Sequence, residues 1–357
     1  MQRGNVLLFI DPIGLLLTLF LLVLGIVAVG YAEQDLMAQQ VFWSFLGIIG
    51  YIACSAFDYR KLQQYAWPLY FLTICLLIGL FFTPTIRHVH RWYRLSFLGV
   101  MIQPTDYAKV SVIVVVSLLA SQISARHKST LYWMAFATFL PMLLIARQPD
   151  LGSALIFPPV MVGMIYLAGI APRFVRWACA FGSFFISLIG AIFLEIIPYD
   201  RFRGFALLFL KDYQIARLSP RGYHQQVANS LMAEGGWWGK VGVGRDLPAA
   251  HTDSIFPLWV GQHGCVGGLF LLVLLCYLIY RQCKVVAVAR DPFGRILGGG
   301  ITCYFLVHVL FNIGMMLGMM PISGVPLPLI SYGGSSLISM MCALGILQSI
   351  YARRFIF

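Results

Sequence analysis

Charge is what this 357-residue chain has least of: Asp, Glu, Lys and Arg make up 11% of it, and the acidic residues number only 13. A soluble domain of this length carries about 25% charged residues, so an ordinary water-facing surface cannot be built and a soluble globular fold is excluded. The eight cysteines form no CxxC pair and no zinc-ligand spacing, which removes structural zinc and dithiol redox chemistry. Six of them (Cys54, Cys75, Cys179, Cys276, Cys303 and Cys342) lie inside apolar runs, where small buried residues are expected. The net charge of +12 comes without a basic stripe interleaved with aromatics, which argues against a nucleic acid partner. Inverted internal repeats of the kind found in transporters are also missing.

What is present is apolar sequence: 60% of residues are hydrophobic and the mean hydropathy is +0.84. A stretch of roughly 20 apolar residues matches the hydrocarbon thickness of a bilayer. Such stretches are helical because a helix satisfies its own backbone hydrogen bonds. The runs 7–31, 41–57, 66–83, 106–122, 130–146, 152–169, 175–197, 256–280, 296–318 and 328–350 predict an all-α polytopic membrane protein of about ten transmembrane helices. The first run, Val6 to Ala32, exceeds the central region of a signal peptide and reads as a retained helix. The whole of 1–357 reads as a single transmembrane domain.

Short loops orient the bundle. Arg60 and Lys61, Arg126 and Lys128, Arg173 and Arg176, then Arg281, Lys284, Arg290 and Arg295 fall in alternate connections, and Arg353 and Arg354 close the chain on the same side. The positive-inside rule puts them in the cytoplasm with both termini, and anionic lipid is a natural contact for them. Tyr31 to Gln40, opposite, holds no Lys or Arg. The stretch 198–255 becomes one long extracytoplasmic loop between spans 7 and 8, and its seven basic residues are tolerated because long loops translocate regardless of charge. Arg87, Arg91 and Arg94, in a short outer segment, violate the rule and are candidates for an anionic ligand.

Polar residues stand where they are costly. Lys109 follows Asp106 by three residues at the edge of the fourth span, on one helix face. Charged groups at membrane depth are functional candidates by default. The plainer reading is that Lys109 snorkels to the interface and Asp106 caps the helix after Pro104. In Arg147-Gln148-Pro149-Asp150-Leu151-Gly152, Pro149 forces Gln148 away from helix. Asp150 there either caps the next helix or lines a cavity. Asp253 precedes the eighth span, where the helix dipole favours a carboxylate. With His251 and Thr252 at the mouth of the bundle, it could take a proton from a sugar hydroxyl. Gly235-Gly236-Trp237-Trp238-Gly239-Lys240-Val241-Gly242-Val243-Gly244, followed by Arg245, is either a phosphate cradle or a tight loop with interfacial tryptophans. Pro321 to Gly334, with Ser331-Tyr332-Gly333-Gly334, suggests broken backbone in protein-lined space.

These pieces together resemble the SEDS family (shape, elongation, division and sporulation), in its RodA branch. The matching segments are Arg91-Trp92, Gln103-Pro104-Thr105-Asp106-Tyr107-Ala108-Lys109, Gln148-Pro149-Asp150-Leu151-Gly152, Gly222-Tyr223-His224, Gly235-Gly236 with Gly239-Lys240, and His251-Thr252-Asp253. The last is Gly324-Val325-Pro326-Leu327-Pro328-Leu329-Ile330-Ser331-Tyr332-Gly333-Gly334-Ser335. They stand in the family's order along nearly the whole chain.

The resemblance implies an inverting peptidoglycan glycosyltransferase of the bacterial cytoplasmic (inner) membrane. Such an enzyme polymerises lipid II, a disaccharide-peptide on undecaprenyl pyrophosphate, on the outer membrane face during wall elongation and shape maintenance. A class B penicillin-binding protein, the transpeptidase, is the implied partner. The family's essential aspartate maps onto Asp253, and its acid and lysine onto Asp106 and Lys109. Arg91, Asp150, His251, Thr252, Lys240 and Ser331 are the expected substrate contacts. The positive charge near the leaving group falls to Lys109 with Arg91, or to a divalent cation (magnesium or manganese) whose ligands the sequence leaves unassigned. A lipid II flippase and a non-catalytic scaffold for the penicillin-binding protein are the competing readings. Three departures stand out: Asp106 and Thr105 replace the family's Glu and Ser, Gln262-His263 replaces an acidic pair, and Val227-Ala228 with Ala233-Glu234 alter the loop. Any role of the missing acid is absent or met by His263.

Overall fold

The computed structural model describes residues 10–83, 91–95, 100–122, 128–193, 223–240, 247–320 and 322–355, with single positions at 196, 204 and 242. Arg87, Arg126, Arg245, Pro321 and nearly all of 197–222 lie outside the described residues.

The helices in chain order are α1 (Pro12–Ala32), α2 (Gln34–Ala56), α3 (Leu62–Gly79), α4 (Pro104–Ser121), α5 (Lys128–Arg147), α6 (Leu151–Ala154), α7 (Phe157–Leu167), α8 (Pro172–Phe193), α9 (Tyr223–Gly235), α10 (Ile255–Val288), α11 (Pro292–Met316) and α12 (Gly334–Ala352). Eight helical stretches among the described residues are long and apolar enough to cross a membrane, and Leu151–Leu167 is a shorter apolar one. The protein is a helical polytopic membrane protein. One departure from the all-α expectation is a small antiparallel hairpin, β1 (Tyr93–Leu95) against β2 (Val100–Ile102), with Tyr93 opposite Ile102. Tyr93 ties it back to α3 by donating its hydroxyl to the Leu76 carbonyl at 2.8 Å.

Helix starts follow local chemistry. Pro at the first helical position costs no hydrogen bond there, and α1, α4 and α11 all use it. Asp291 caps α11 by accepting from the Gly294 N–H at 2.8 Å. The runs around 152–169 and 328–350 are where the sequence expectation needs correcting. The first is broken into α6 and α7, with Pro158 and Pro159 in the first turn of α7. The second becomes helical only at Gly334, because two prolines and the glycines of 322–333 cannot continue a ladder.

Three helices form the centre. The apolar windows of α4, α11 and α12 are each 78% buried, against 22–39% for the other spans. Helix α12 lies along α2, α4 packs on α3 and α11, and α10 packs on α1, α9 and α11. Lipid offers no hydrophobic drive for helix association, so close backbone approach carries the packing. Gly298, Gly299 and Gly300 of α11 provide it: a methyl group on Gly299 would lie 2.0 Å from Leu167, and one on Gly300 2.7 Å from Ile113. Helix α8 stands at the periphery with Trp177, Phe181 and Phe184 exposed.

Alternating direction places 57–61, 289–291 and 353–354 at one end of the bundle, and 33, 91–95, 100–103, 148–150, 247–254 and 322–333 at the other. At the first end Asp11 forms an ion pair with Arg281, and Gln348 accepts from the Asp11 N–H at 2.9 Å while donating to its carbonyl at 3.1 Å. Arg353 donates to the Ala56 carbonyl at 2.7 Å, joining the last helix to the second. Of the six cysteines expected to be buried, Cys75, Cys179 and Cys276 are exposed, and Cys54, Cys303 and Cys342 are partly buried. A thiol is apolar enough to face lipid.

Candidate active site

Nearly every motif of the sequence meets at the second end. Helix α10 begins at Ile255 with Ser254 as its cap residue, so Asp253 sits just outside the first turn, half-buried. The His251-Thr252-Asp253 turn is gripped on each carbonyl. The Tyr332 N–H donates to the His251 carbonyl at 2.8 Å, the Ser331 hydroxyl to that of Thr252 at 2.6 Å, and the Asn312 amide to that of Asp253 at 2.9 Å. A methyl group placed on Gly324 would lie 3.3 Å from the Asp253 Oδ2, so the carboxylate rests on backbone that has no side chain. His251 lies 3.8 Å from Glu33 and packs edge-on to the Tyr332 ring at 5.8 Å. Tyr332 in turn donates to Gln39 at 2.5 Å.

A second cluster is built from α4, the hairpin and the α5–α6 turn. Asp150 accepts from the Ser153 N–H at 3.4 Å, so it caps α6, and it also accepts from Gln103 at 3.1 Å. Arg91 lies 3.7 Å from Asp150 and donates to the Gln148 carbonyl at 3.4 Å and to the Pro149 carbonyl. The guanidinium that broke the topology rule is thus tied to the 148–150 turn. Gln103 and Ser335 bond at 3.0 Å, linking this cluster to the start of α12.

The third element is the Asp106–Lys109 pair, Nζ to Oδ1 3.0 Å, with both side chains at most 5% exposed. Both plain readings fail here. Gln103 is the cap residue of α4 and Asp106 bonds Lys109 instead, while Lys109 points inward and does not snorkel. Its ammonium lies 6.0 Å from the Tyr304 ring centre. Lys109 and Tyr304 border a small pocket, with room for about one water-sized sphere, otherwise lined by apolar side chains such as Val116, Phe157 and Met161 and by Thr138. A charge buried this deeply is tolerated because it is paired.

The glycine-dense segment resolves as a backbone brace. Helix α10 breaks at Gly264 (φ 72°, ψ −176°), a conformation that glycine alone adopts without strain. The break leaves backbone groups unpaired, and the loop after α9 supplies partners. Cys265 and Val266 donate to the carbonyls of Gly236 and Trp237 at 2.9 and 3.2 Å, and the Lys240 N–H donates to Gly261 at 2.9 Å. Within the segment the N–H groups of Gly236, Gly239, Lys240 and Gly242 are engaged by protein acceptors, while Val241, Val243 and Gly244 lie outside the described residues. Trp237 and Trp238 are 74% and 82% exposed, as interfacial anchors would be. The Lys240 side chain is exposed, two turns along α10 from Asp253.

Ser331 is 5% exposed, and its hydroxyl is taken by Thr252 and by the Leu327 N–H at 2.8 Å. It holds backbone and does not face open space. Gln262 and His263, which stand in for the family's acids, contact their neighbours through side-chain bonding and stacking. Gln262 accepts from the Gly242 N–H at 3.3 Å, and His263 stacks on Trp259 with ring centres 3.9 Å apart. Sequence reasoning assigned no role to His224 or Asn312. His224 lies 2.5 Å from the Ser254 hydroxyl, and burial holds its imidazole below the usual histidine range, against the raising effect of a backbone hydrogen bond at Pro248. The Tyr-His pair of the resemblance was the available signal. Asn312 carried none, as an isolated amide in an apolar run.

A family model described as cell cycle protein, for FtsW, RodA and SpoVE, matches residues 5–355. The peptidoglycan glycosyltransferase MrdB of Escherichia coli is 32% identical over 356 residues, covering 97% of this chain and 94% of its own. The probable peptidoglycan glycosyltransferase FtsW of Geobacter metallireducens is 31% identical over 371 residues, covering 96% and 95%. Among solved structures, a chain from work on the structural coordination of polymerization and crosslinking by a peptidoglycan synthase complex superposes with a TM-score of 0.78. It is 26% identical and covers 98% of this chain and 99% of its own. The rod shape determining protein RodA of Thermus thermophilus shares the fold, with a TM-score of 0.73 at 24% identity over 97% and 98% of the two chains. A match this long takes in every motif gathered at the polar end of the bundle, and the chain belongs to the FtsW, RodA and SpoVE family, as a RodA-like member.

Proposed function

We propose that the protein is a peptidoglycan glycosyltransferase that polymerises lipid II during wall elongation. The observation that carries this reading is the locked His251-Thr252-Asp253 turn, which aims one carboxylate at the polar end of the bundle. The names of the relatives that match along the whole chain support it.

In the reaction, the 4-hydroxyl of one precursor attacks the anomeric carbon of another. The carbon–oxygen bond to the pyrophosphate breaks with inversion, and undecaprenyl pyrophosphate leaves with the electron pair. Asp253 is the base that takes the hydroxyl proton. Lys109 carries more N–H donors than Asp106 uses, and it borders the apolar pocket between α4, α7 and α11. We assign it to the developing pyrophosphate charge, with Asp106 holding its geometry and an apolar tail in the groove. Arg91 and Asp150 shape the rim, and His251, Thr252 and Lys240 contact sugar or phosphate there. A magnesium or manganese ion, held by one or two carboxylates together with pyrophosphate oxygens, would add positive charge at the leaving group.

The basic residues at the first end support a cytoplasmic placement of that end, and so an outward-facing Asp253. This corresponds to ten spans, with α6–α7 and α8 as the sixth and seventh, both termini inside, the 198–255 loop outside and 1–357 as one domain. The membrane is the bacterial cytoplasmic membrane, and the partner is a class B penicillin-binding protein, in keeping with the synthase complex among the structural relatives.

The test is polymer formation from purified lipid II in detergent, with and without the partner. Wild type is expected to make glycan, and Asp253→Asn none while melting as wild type does. Glycan from Asp253→Asn would overturn the base assignment. Absence of glycan from wild type with its partner would favour a flippase, which makes no polymer without a membrane to cross.

A further inference from the structure

Asn312 lies within the last turns of α11, wholly buried, where an amide offers helix and lipid nothing. Its Nδ2 donates twice, to the Asp253 carbonyl at 2.9 Å and to the Val325 carbonyl at 2.8 Å. Its Oδ1 has no hydrogen-bond partner among the described residues, a cost that stabilising the helix does not explain. The two acceptors belong to the two pieces of backbone that meet around the carboxylate. Asp253 carries it, and Gly324, next to Val325, is the wall against which Oδ2 rests.

The same face of α11 reaches further down. Tyr304, His308 and Asn312 recur every four residues and so stand in one row. Tyr304 lies under the Lys109 ammonium, and the His308 ring nitrogen Nδ1 lies 3.4 Å from the Pro326 carbonyl. Eight residues of helix span about 12 Å. One rigid helix face therefore sets the depth of Lys109 relative to the Asp253 turn, and Asn312 is the link at its upper end.

We infer that Asn312 is a positioning residue for the Asp253 carboxylate: its amide bonds both the turn that bears the base and the segment that backs it. The inference rests on the assignment of Asp253 as base. Displacing a base by about 1 Å is enough to lower turnover on the order of a hundredfold without touching the groups that bind substrate.

Asn312→Leu keeps the volume and removes both donors. The expected result is a kcat lowered on the order of tenfold to a hundredfold, with the KM for lipid II unchanged. Gln225→Leu is the control. Gln225 donates to the Met316 carbonyl at 2.6 Å, four residues further along α11, and holds no part of the Asp253 turn. It is expected to lower the melting temperature comparably while keeping kcat. If Asn312→Leu does not fold, Asn312→Ser, smaller and with one donor, is read the same way and is expected to lose part of kcat. Wild-type kcat in the folded Asn312 variant, or equal kcat loss in Gln225→Leu, overturns the inference. Asp253→Asn run alongside separates the two failures. An active Asp253→Asn removes the base itself, whereas a dead Asp253→Asn beside a fully active Asn312 variant removes only the positioning role.

Discussion

Gly152 is the tightest point in the site, and adding one methyl group to it is a sharp test of how the polar end is assembled. A methyl on Gly152 would lie 1.9 Å from the Ser323 carbonyl oxygen and 2.9 Å from its carbonyl carbon. Since a carbon and an oxygen sit no closer than about 3.3 Å, α6 and the 322–333 segment must part by about 1.4 Å. Neither side is free to yield. The 322–333 segment is bonded to Asn312 through Val325 and to the Asp253 turn through Ser331 and Tyr332. Helix α6 is held by Asp150, which Gln103 and Arg91 hold in turn. The strain is of the overpacking kind, about 1–3 kcal/mol, and it falls one residue from Gly324, the backing of the Asp253 carboxylate. Gly152→Ala is therefore expected to melt a few degrees lower. It should also polymerise lipid II on the order of a hundredfold more slowly, because the reacting groups move by more than about 1 Å. Gel analysis of glycan made by purified protein, beside a melting curve, reads both. Wild-type melting with wild-type turnover would refute the packing argument.

Asp106→Leu strands the Lys109 charge in the core and is expected to destabilise by about 3–5 kcal/mol, whereas Asp106→Leu with Lys109→Met recovers most of that loss. The double variant should still make no polymer; if it does, the pair is structural only. His224 gives a pH dependence. Its folded pKa lies below the unfolded value of about 6.5, so the unfolded chain binds the proton first as pH falls. The stability present above about pH 6.5 is then lost as pH drops through the folded pKa. Melting curves from pH 8 to 5 should show a fall in wild type that His224→Gln flattens, and parallel curves would remove His224 from the account.

The spans were legible because hydropathy at about 20 residues is imposed by bilayer thickness. Charged groups at depth were legible as exceptions, which is how Asp106 and Lys109 were found, and Asp253 was legible as a carboxylate at the start of a span in the His-Thr-Asp motif. What each polar residue touches was not. The Arg91–Asp150 pair joins residues 59 positions apart and Gln103–Ser335 joins residues 232 apart, and hydropathy holds no long-range register. Of the two readings of Asp150, the cap was legible because capping is local. Lys109 read ambiguously because snorkelling or inward pairing depends on which helix lies opposite. The glycine-dense segment was half-read. Its tight loop was visible, but the break in α10 that it repairs hangs on Gly264, an unremarkable glycine in an apolar run. Ser331 stood in a motif that suggested ligand contact, yet motifs mark backbone braces as readily as binding groups.

That break bears on how the enzyme meets membranes of different thickness. A bilayer that thickens or thins by a few ångström is accommodated by changes in helix tilt. The segment of α10 below Gly264, Cys265–Val288, has 24 residues, about 36 Å of helix, more than a hydrocarbon core of about 30 Å requires. It has length to spare for tilting. The loop after α9 braces both sides of the break, at Gly261 above it and at Cys265 and Val266 below it, and Asn312 holds the Asp253 carbonyl. Any tilt of the shaft therefore meets this brace, beyond Val266, before it reaches the carboxylate.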